Sequence, residues 1–357
     1  MSNLELPETY DPVFHGDSND HPYLGKLEYR QLGNTGLRVS QIGLGTAVLG
    51  NVFGVINRDE GIAATQQAIK SGINYIDTAP FYNVSQDVLG EALRDVPRNT
   101  FYLATKVGME WLEPVNGRFD LATSLDFSAS SVLKSIERSL ERLGLPYVDV
   151  IQVHNCDVPG DREKLLKETL PALESVVKAG KARFIGVTGY DLDFLQTIAN
   201  EAKIDTVLNF CRYNLHDVSL LDYLDGFECK GVGVVAGAAL AQGLLTTEGP
   251  PEWHCASEEL KTKTRQAVQY AKELGTTIEE ASLGFSLRSP DSRIATCLVS
   301  IATQDILTQN LNAAVRPRTA SDENLYKELR EVYGNQNNSW VGREPSEYQK
   351  ALAAKLV

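Results

Sequence analysis

The sequence predicts an α/β protein, a (β/α)8 TIM barrel carrying an N-terminal β-hairpin and a C-terminal extension. Three observations point there. Eight short apolar, largely β-branched runs alternate with amphipathic stretches along 357 residues. The runs are apolar at nearly every position, as strands are when helices cover a parallel sheet. The one segment suggesting an open dinucleotide-binding sheet, Gly43-x-Gly45 with Gly50 further on, is misspaced for G-x-G-x-x-G. It also lacks the acidic strand end expected about 20 residues later.

In chain order the runs are SQIGLG around Ile42, INYID around Tyr75, TFYLATKV around Leu103 and YVDVIQVH around Val150. RFIGVTG around Ile185, DTVLNF around Val207, VGVVAG around Val234 and TCLVSI around Leu298 follow. Eight alternations fit a closed barrel better than a doubly wound sheet. Between the runs lie helical patterns. After Ser128, the residues Leu133, Ile136, Leu140 and Leu143 recur at three- and four-residue steps until Gly144, a spacing that lines one helix face. After Asp59, GIAATQQAIKS behaves likewise up to Gly72.

Ahead of the first barrel strand, LEYRQLGNTGLRVSQ sets two extended runs around Gly33-Asn34-Thr35-Gly36. This is a hairpin signal, placed to plug the N-terminal end of a barrel. The expected organisation is an arm over residues 1–26, a barrel over 27–314, and a C-terminal helix and tail over 315–357.

A net charge of −13, with acids and bases interspersed, argues against nucleic acid or an anionic membrane as a partner. Cys156, Cys211, Cys229, Cys255 and Cys297 are scattered, odd in number and without a C-x-x-C pair. They form neither a disulfide framework nor a zinc site and suit a reducing compartment. The Trp253-His254-Cys255 triplet has a metal-site flavour, but the histidines show no ligand spacing, so no metal is expected. The first 26 residues hold no apolar run, and Gly231–Leu245 is too short and too rich in Gly and Ala to span a bilayer. The reading is a cytoplasmic protein, a monomer or weak homo-oligomer, acting on a small molecule.

In such a barrel, reactive side chains collect where strands end and βα loops form the mouth. The second strand ends at Asp77, with Tyr82 five residues on; the third ends at Lys106 and the fourth at His154. Taken singly, each has an ordinary explanation: a helix cap, a wall residue, a rim lysine, a core histidine. Together they form a device. A phenol with a pKa of about 10 is a poor base near neutrality. A neighbouring ammonium favours its phenolate, and a carboxylate holds that ammonium charged and oriented. Tyr82 then exchanges a proton with an alcohol oxygen while hydride moves at carbon, and His154 orients the same oxygen.

Gly72–Tyr82 (GINYIDTAPFY), the ATK ending at Lys106 and the IQVHN around His154 resemble the signatures of the aldo-keto reductase superfamily. The likeness runs from about Leu27 to Ala314. It implies that Asp77, Tyr82, Lys106 and His154 are the catalytic tetrad. LGNTGLRVS from Leu32, Phe53-Gly54, GLLT from Gly243 and GPPEWHCASEELK from Gly249 are most similar to the aldose 1-dehydrogenase group that includes L-galactose dehydrogenases. That likeness implies oxidation of an aldose at C1 to a lactone.

The resemblance also implies a nicotinamide cofactor lying across the mouth. Leu240, Ala241, Gly243 and Leu245 would follow its pyrophosphate. Thr188 and Asn209 would reach the carboxamide and Gln309 with Asn310 the adenine, while Gly45, Thr46, Asp77 and Ser300 complete the contacts. Phe53, Trp111 and Trp253 would wall the substrate beside Tyr82 and His154, with His254 in the same loop wall.

The chain departs from the pattern in three places. Thr188-Gly189 replaces Ser-Asn, Phe210 replaces Gln, and Gly237 stands where an aromatic commonly stacks on nicotinamide. The stretch from Ser300, SIATQDILTQN, holds no Lys or Arg to grip a 2′-phosphate, which favours NAD over NADP unless Arg316 or Arg318 swings in. Two alternatives stay open: a broad NADPH-dependent aldehyde and ketone reductase, and a nucleotide-sensing binding module like the potassium-channel β subunits.

Overall fold

The computed structural model describes residues 5–18, 21–52, 54–111, 124–158, 161–252 and 254–334. The expectations for Phe53, Trp253 and the tail beyond Gly334 lie outside the described residues.

All eight apolar runs form strands of one closed parallel barrel. The hairpin is β1 (Tyr29–Gln31) and β2 (Arg38–Ser40). The barrel strands are β3 (Ile42–Gly45), β4 (Tyr75–Asp77), β5 (Tyr102–Val107), β6 (Val148–Val153), β7 (Ala182–Gly189), β8 (Thr206–Phe210), β9 (Gly233–Gly237) and β10 (Ile294–Ser300). They pair in sequence order, and β10 closes on β3.

Strand alternation sorts the apolar side chains into two shells. Ile42, Leu44, Ile76, Leu103, Ile151, Val187 and Val207 point outward to the helices. Tyr75, Tyr102, Ala104, Val150, Leu208, Val235 and Leu298 fill the lumen. The hairpin adds Leu32, Leu37 and Val39 to that inner shell, all nearly inaccessible to solvent. Each such side chain contributes about 1.5–3 kcal/mol, so the hairpin is the barrel's floor, as its position in the sequence predicts.

The helix Ala129–Leu143 shows how the outer layer is specified. Ser128 accepts from the Ser131 amide at 3.3 Å to cap its start, and Gly144 ends it in the left-handed region (φ 65°). Its buried stripe is Val132, Ile136, Leu140 and Leu143. Leu133, expected in that stripe, is 40% exposed; one residue of helical rotation turns it to solvent and brings in Val132.

The floor is tied by polar contacts. Gln41 donates to the carbonyls of Leu287 and Ala314 at 2.9 and 3.0 Å. Arg30 donates to those of Ile294 and Ser289 at 2.9 and 2.8 Å. The segment before the hairpin lies against this end, with Asn74 donating to Thr9 Oγ1 at 2.9 Å. The mouth at the opposite end is left to the βα loops.

Candidate active site

Asp77 closes β4, Lys106 is the penultimate residue of β5, and His154 follows β6 directly. Tyr82 sits in the loop between β4 and the helix Ser85–Leu93. All four meet at the mouth. Lys106 Nζ has three protons and three partners: Asp77 Oδ1 in a close ion pair, the Thr78 carbonyl at 3.1 Å, and the Tyr82 hydroxyl at 3.1 Å. Asp77 and Lys106 are 2% and 1% exposed. Removing either partner of such a buried pair typically costs about 3–5 kcal/mol, because the other charge is left uncompensated.

The loop holding Tyr82 is fixed from both sides. Its amide donates to the Ala79 carbonyl at 3.1 Å, and its carbonyl accepts from the Ser85 amide at 2.9 Å. A Cβ on Gly50 would stand 1.8 Å from the Tyr82 carbonyl oxygen. Gly50 is thus a glycine of close packing, consistent with rejecting a phosphate-loop role. The His154 ring meets Tyr82 edge-on, centroids 5.7 Å apart at 89°, and meets Phe81 in the same manner at 5.8 Å and 83°.

Burial sets the protonation states. It pushes the Tyr82 phenol upward; the Lys106 charge pulls it back in part, and the net direction is up. The sequence logic expects the lysine to favour the phenolate, and it does, but desolvation of a buried phenolate is the larger effect. For Lys106, burial works downward, yet the Asp77 and Tyr82 charges outweigh it and the ammonium is held more firmly than usual. Burial, aided by Lys106, drives His154 well below its ordinary value. His154 is therefore a neutral imidazole at physiological pH.

Sequence reasoning missed Gln152, whose Nε2 donates to Asp77 Oδ2 at 2.8 Å. Its signal was present: a polar residue inside the apolar run of β6, two places before His154 and on the same lumen face. Thr78, through its carbonyl, and Phe81, through its ring, were missed too. Neither contact is encoded by residue type.

The residues expected around a cofactor divide into two groups. Thr46 is buried behind Asp77, donating from amide and hydroxyl to the Asp77 carbonyl at 2.9 and 3.0 Å. Ala241 and Leu245 have buried side chains, so only their backbone is available to a ligand. His254, expected in the loop wall, is buried as well: one ring nitrogen lies 2.9 Å from the Ala241 carbonyl and the other accepts from the Ala256 amide at 3.1 Å. It fastens the loop after β9 instead of lining the mouth. Thr188 and Asn209 are buried at the ends of β7 and β8, and Asn310 is buried on its helix, whereas Ser300 and Gln309 are exposed; Gly45, Leu240 and Trp111 are partly so. Trp111 packs against Phe81 with centroids 6.3 Å apart.

The rim carries backbone strain. Asn155 (φ 42°), Cys211 (φ 65°) and Ala238 (φ 64°) are left-handed within two residues of the ends of β6, β8 and β9. Ala241, Gln242 and Gly243 continue the pattern. Non-glycine residues in this region cost on the order of 1–3 kcal/mol and concentrate at functional sites.

Arg316 and Arg318 lie at the wrong end to reach the mouth. The helix Gln304–Val315 starts beside the top of β10 and runs down to the floor, about 18 Å at 1.5 Å per residue. At its foot Arg316 pairs with Asp322, and Arg318 pairs with Glu323 and donates to the Arg288 carbonyl at 2.8 Å.

The comparisons with known proteins agree with this architecture. Residues 41–331 match the model of the aldo/keto reductase family. An L-galactose dehydrogenase from Arabidopsis thaliana is 40% identical over 295 residues, covering 81% of this chain and 88% of that protein. A D-threo-aldose 1-dehydrogenase from a Pseudomonas species is 29% identical, covering 83% and 95%. Among solved structures, an aldo-keto reductase from Bacillus halodurans in its holo form superimposes with a TM-score of 0.67 at 25% identity, covering 85% of this chain and 96% of the other. With its parallel barrel, its buried carboxylate and ammonium beside a half-buried phenol at the mouth and this breadth of similarity, the chain belongs to the aldo/keto reductase family and is an oxidoreductase.

Proposed function

We propose that the chain is an NAD-dependent dehydrogenase that oxidises an aldose such as L-galactose at its anomeric carbon to the lactone, with Tyr82 as the acid/base. The observation that carries the reaction type is the continuous line from Asp77 through Lys106 to the Tyr82 hydroxyl, with every ammonium proton committed.

The residues present fit a nicotinamide cofactor. The mouth offers buried polar atoms that have no partner within the described structure, His154 Nδ1 and Asn209 Oδ1. Thr188 would hold the nicotinamide end of such a molecule and the strained backbone after β9 its pyrophosphate. When bound, the nicotinamide takes up or gives the hydride, and in its oxidised form its positive charge adds to that of Lys106.

The remaining chemistry belongs to the protein. Tyr82 Oη takes the proton of the anomeric hydroxyl as the C–H bond yields its hydride, leaving a carbonyl. Lys106 stabilises the phenolate on which this depends, and Asp77 keeps Lys106 charged. Neutral His154 positions the reacting oxygen through a hydrogen bond and brings no competing charge.

Two lines of support narrow the reading. The aldose dehydrogenases among the relatives, including a D-arabinose 1-dehydrogenase from Saccharomyces cerevisiae, argue for a sugar. The loop after β10 and the helix that follows have no cation, and Asp305 occupies the helix's first turn. That arrangement disfavours a 2′-phosphate. The test is initial rates with NAD and with NADP over a panel of aldoses, beside Tyr82→Phe. Sugar-dependent NAD reduction that disappears in the variant supports the reading. Aldehyde reduction by NADPH with no sugar oxidised overturns it in favour of a general carbonyl reductase.

A further inference from the structure

Gly237 closes β9 at the mouth, in register with Phe210 of β8. A Cβ on Gly237 would stand 2.7 Å from Phe210 Cδ2. The two residues therefore share one side-chain volume, and the Phe210 ring fills it. That ring rests on the lumen core and is met edge-on by Tyr190, centroids 5.5 Å apart at 84°. It remains only half-buried. The end of β9 therefore offers no aromatic surface, and its neighbour does.

The barrel's closure says which wall this is. In the cyclic order of eight strands, β8 lies four places from β4 in either direction, so it stands opposite the strand that leads to Tyr82. Tyr82 exchanges its proton at the substrate oxygen, in the plane of the carbonyl. Hydride is exchanged across a face of the carbon, so its carrier stacks over that face and not beside Tyr82. A carrier stacked there turns one face to the substrate and the other to a wall of the mouth, and β8 offers such a wall clear of the Tyr82 loop. On β8 the inward side chains alternate as Thr206, Leu208 and Phe210, and only Phe210 is at the mouth.

We propose that Phe210 is the surface on which the nicotinamide ring lies, and that residue 237 is glycine to leave room for it. The aromatic platform is thus supplied from the sixth barrel strand, and the two departures from the family pattern, at 210 and 237, form one compensated exchange. The inference rests on the nicotinamide reading above.

The test is calorimetric titration, without sugar, of the parent, Phe210→Ala, Gly237→Phe and the double variant, using NAD and separately ADP-ribose. ADP-ribose lacks the nicotinamide but keeps every other contact. Phe210→Ala is expected to weaken NAD by about tenfold, the scale of one lost base-to-ring stack, and to leave ADP-ribose unchanged. Gly237→Phe alone sets two rings in one volume and weakens NAD; the double variant returns a single ring and recovers it. Equal losses for both ligands, or none for either, overturn the proposal. Should Phe210→Ala melt early, Phe210→Leu keeps the bulk without the ring and carries the same comparison. A parent that binds neither nucleotide defeats the nicotinamide reading itself. A parent that binds NAD as Phe210→Ala and Phe210→Leu do defeats only the role given to Phe210.

Discussion

Gln152 Nε2 donates to Asp77 Oδ2 at 2.8 Å, on the carboxylate oxygen that Lys106 does not use. Asp77 is therefore held by both oxygens, and its orientation toward Lys106 does not depend on the ion pair alone. Replacing Gln152 by Met keeps the volume and removes this donor. Hydrogen bonds to charged groups are worth about 1.5–3 kcal/mol. Some of that is recovered by relaxation, so kcat should fall by about tenfold. Gln152 is fully buried and reaches the site through Asp77, so KM should hold, and the pH profile should shift with the altered Lys106 field. A KM that rises while kcat stays constant would show that Gln152 acts on substrate instead.

Oxidation by this site needs Tyr82 without its proton. Burial raises the phenol's pKa and Lys106 lowers it, with burial the larger. The rate of sugar oxidation should therefore climb with pH through and above neutrality, while carbonyl reduction, which uses the phenol as acid, should be flat over the same range. Lys106→Met removes the opposing charge and should move the rising limb to higher pH, as well as lowering its plateau by about 10²–10⁴. A limb that stays in place in Lys106→Met would assign the titration to another group.

Much of this was legible in the residues. The eight strands could be read because each is apolar on both sides, and the site could be read because βα loops collect reactive groups at one rim. Asp77, Lys106 and His154 announce themselves as polar side chains at the ends of apolar runs. What the sequence hides is pairing across strands. Gly237 looks like a lost aromatic until Phe210 is seen in its space. Gly50 is misspaced for a phosphate loop, but why it is glycine shows only when the Tyr82 carbonyl is found against it. His254 looks like a wall residue until its two ring nitrogens are traced to Ala241 and Ala256. Each depends on which loops meet, and no local pattern records that.

Buried histidines make the fold sensitive to mild acid. Burial lowers His216 to about 4, against the opposing pull of Asp217. Its unfolded value is about 6.5. A depressed folded pKa contributes stability that is complete above the unfolded value and is lost as pH falls toward the folded one. His216 should thus cost the protein up to about 1.4 kcal/mol per pH unit as pH falls from about 6.5 toward 4. His216→Gln, similar in size and unable to titrate, should flatten the fall in Tm across this window relative to its value at pH 8. An unchanged slope would mean that the loss arises at other groups.

The choice between the two nucleotides can be decided at the head of one helix. Gln304–Val315 begins beside the end of β10 with Asp305 in its first turn, and the loop leading into it carries no Lys or Arg. A phosphate dianion there would meet a carboxylate and no cation. Arg316 and Arg318 are about 18 Å away along the helix, and both are paired, with Asp322 and Glu323. NAD should therefore be preferred over NADP by about tenfold or more in kcat/KM. Asp305→Lys, with or without Ser300→Arg, should narrow the gap by improving NADP and leave NAD nearly unchanged. Arg318→Ala should alter neither nucleotide's KM, since that guanidinium belongs to the floor of the barrel. A selective loss of NADP in Arg318→Ala would place the phosphate at the far end of the helix and overturn the assignment of the mouth.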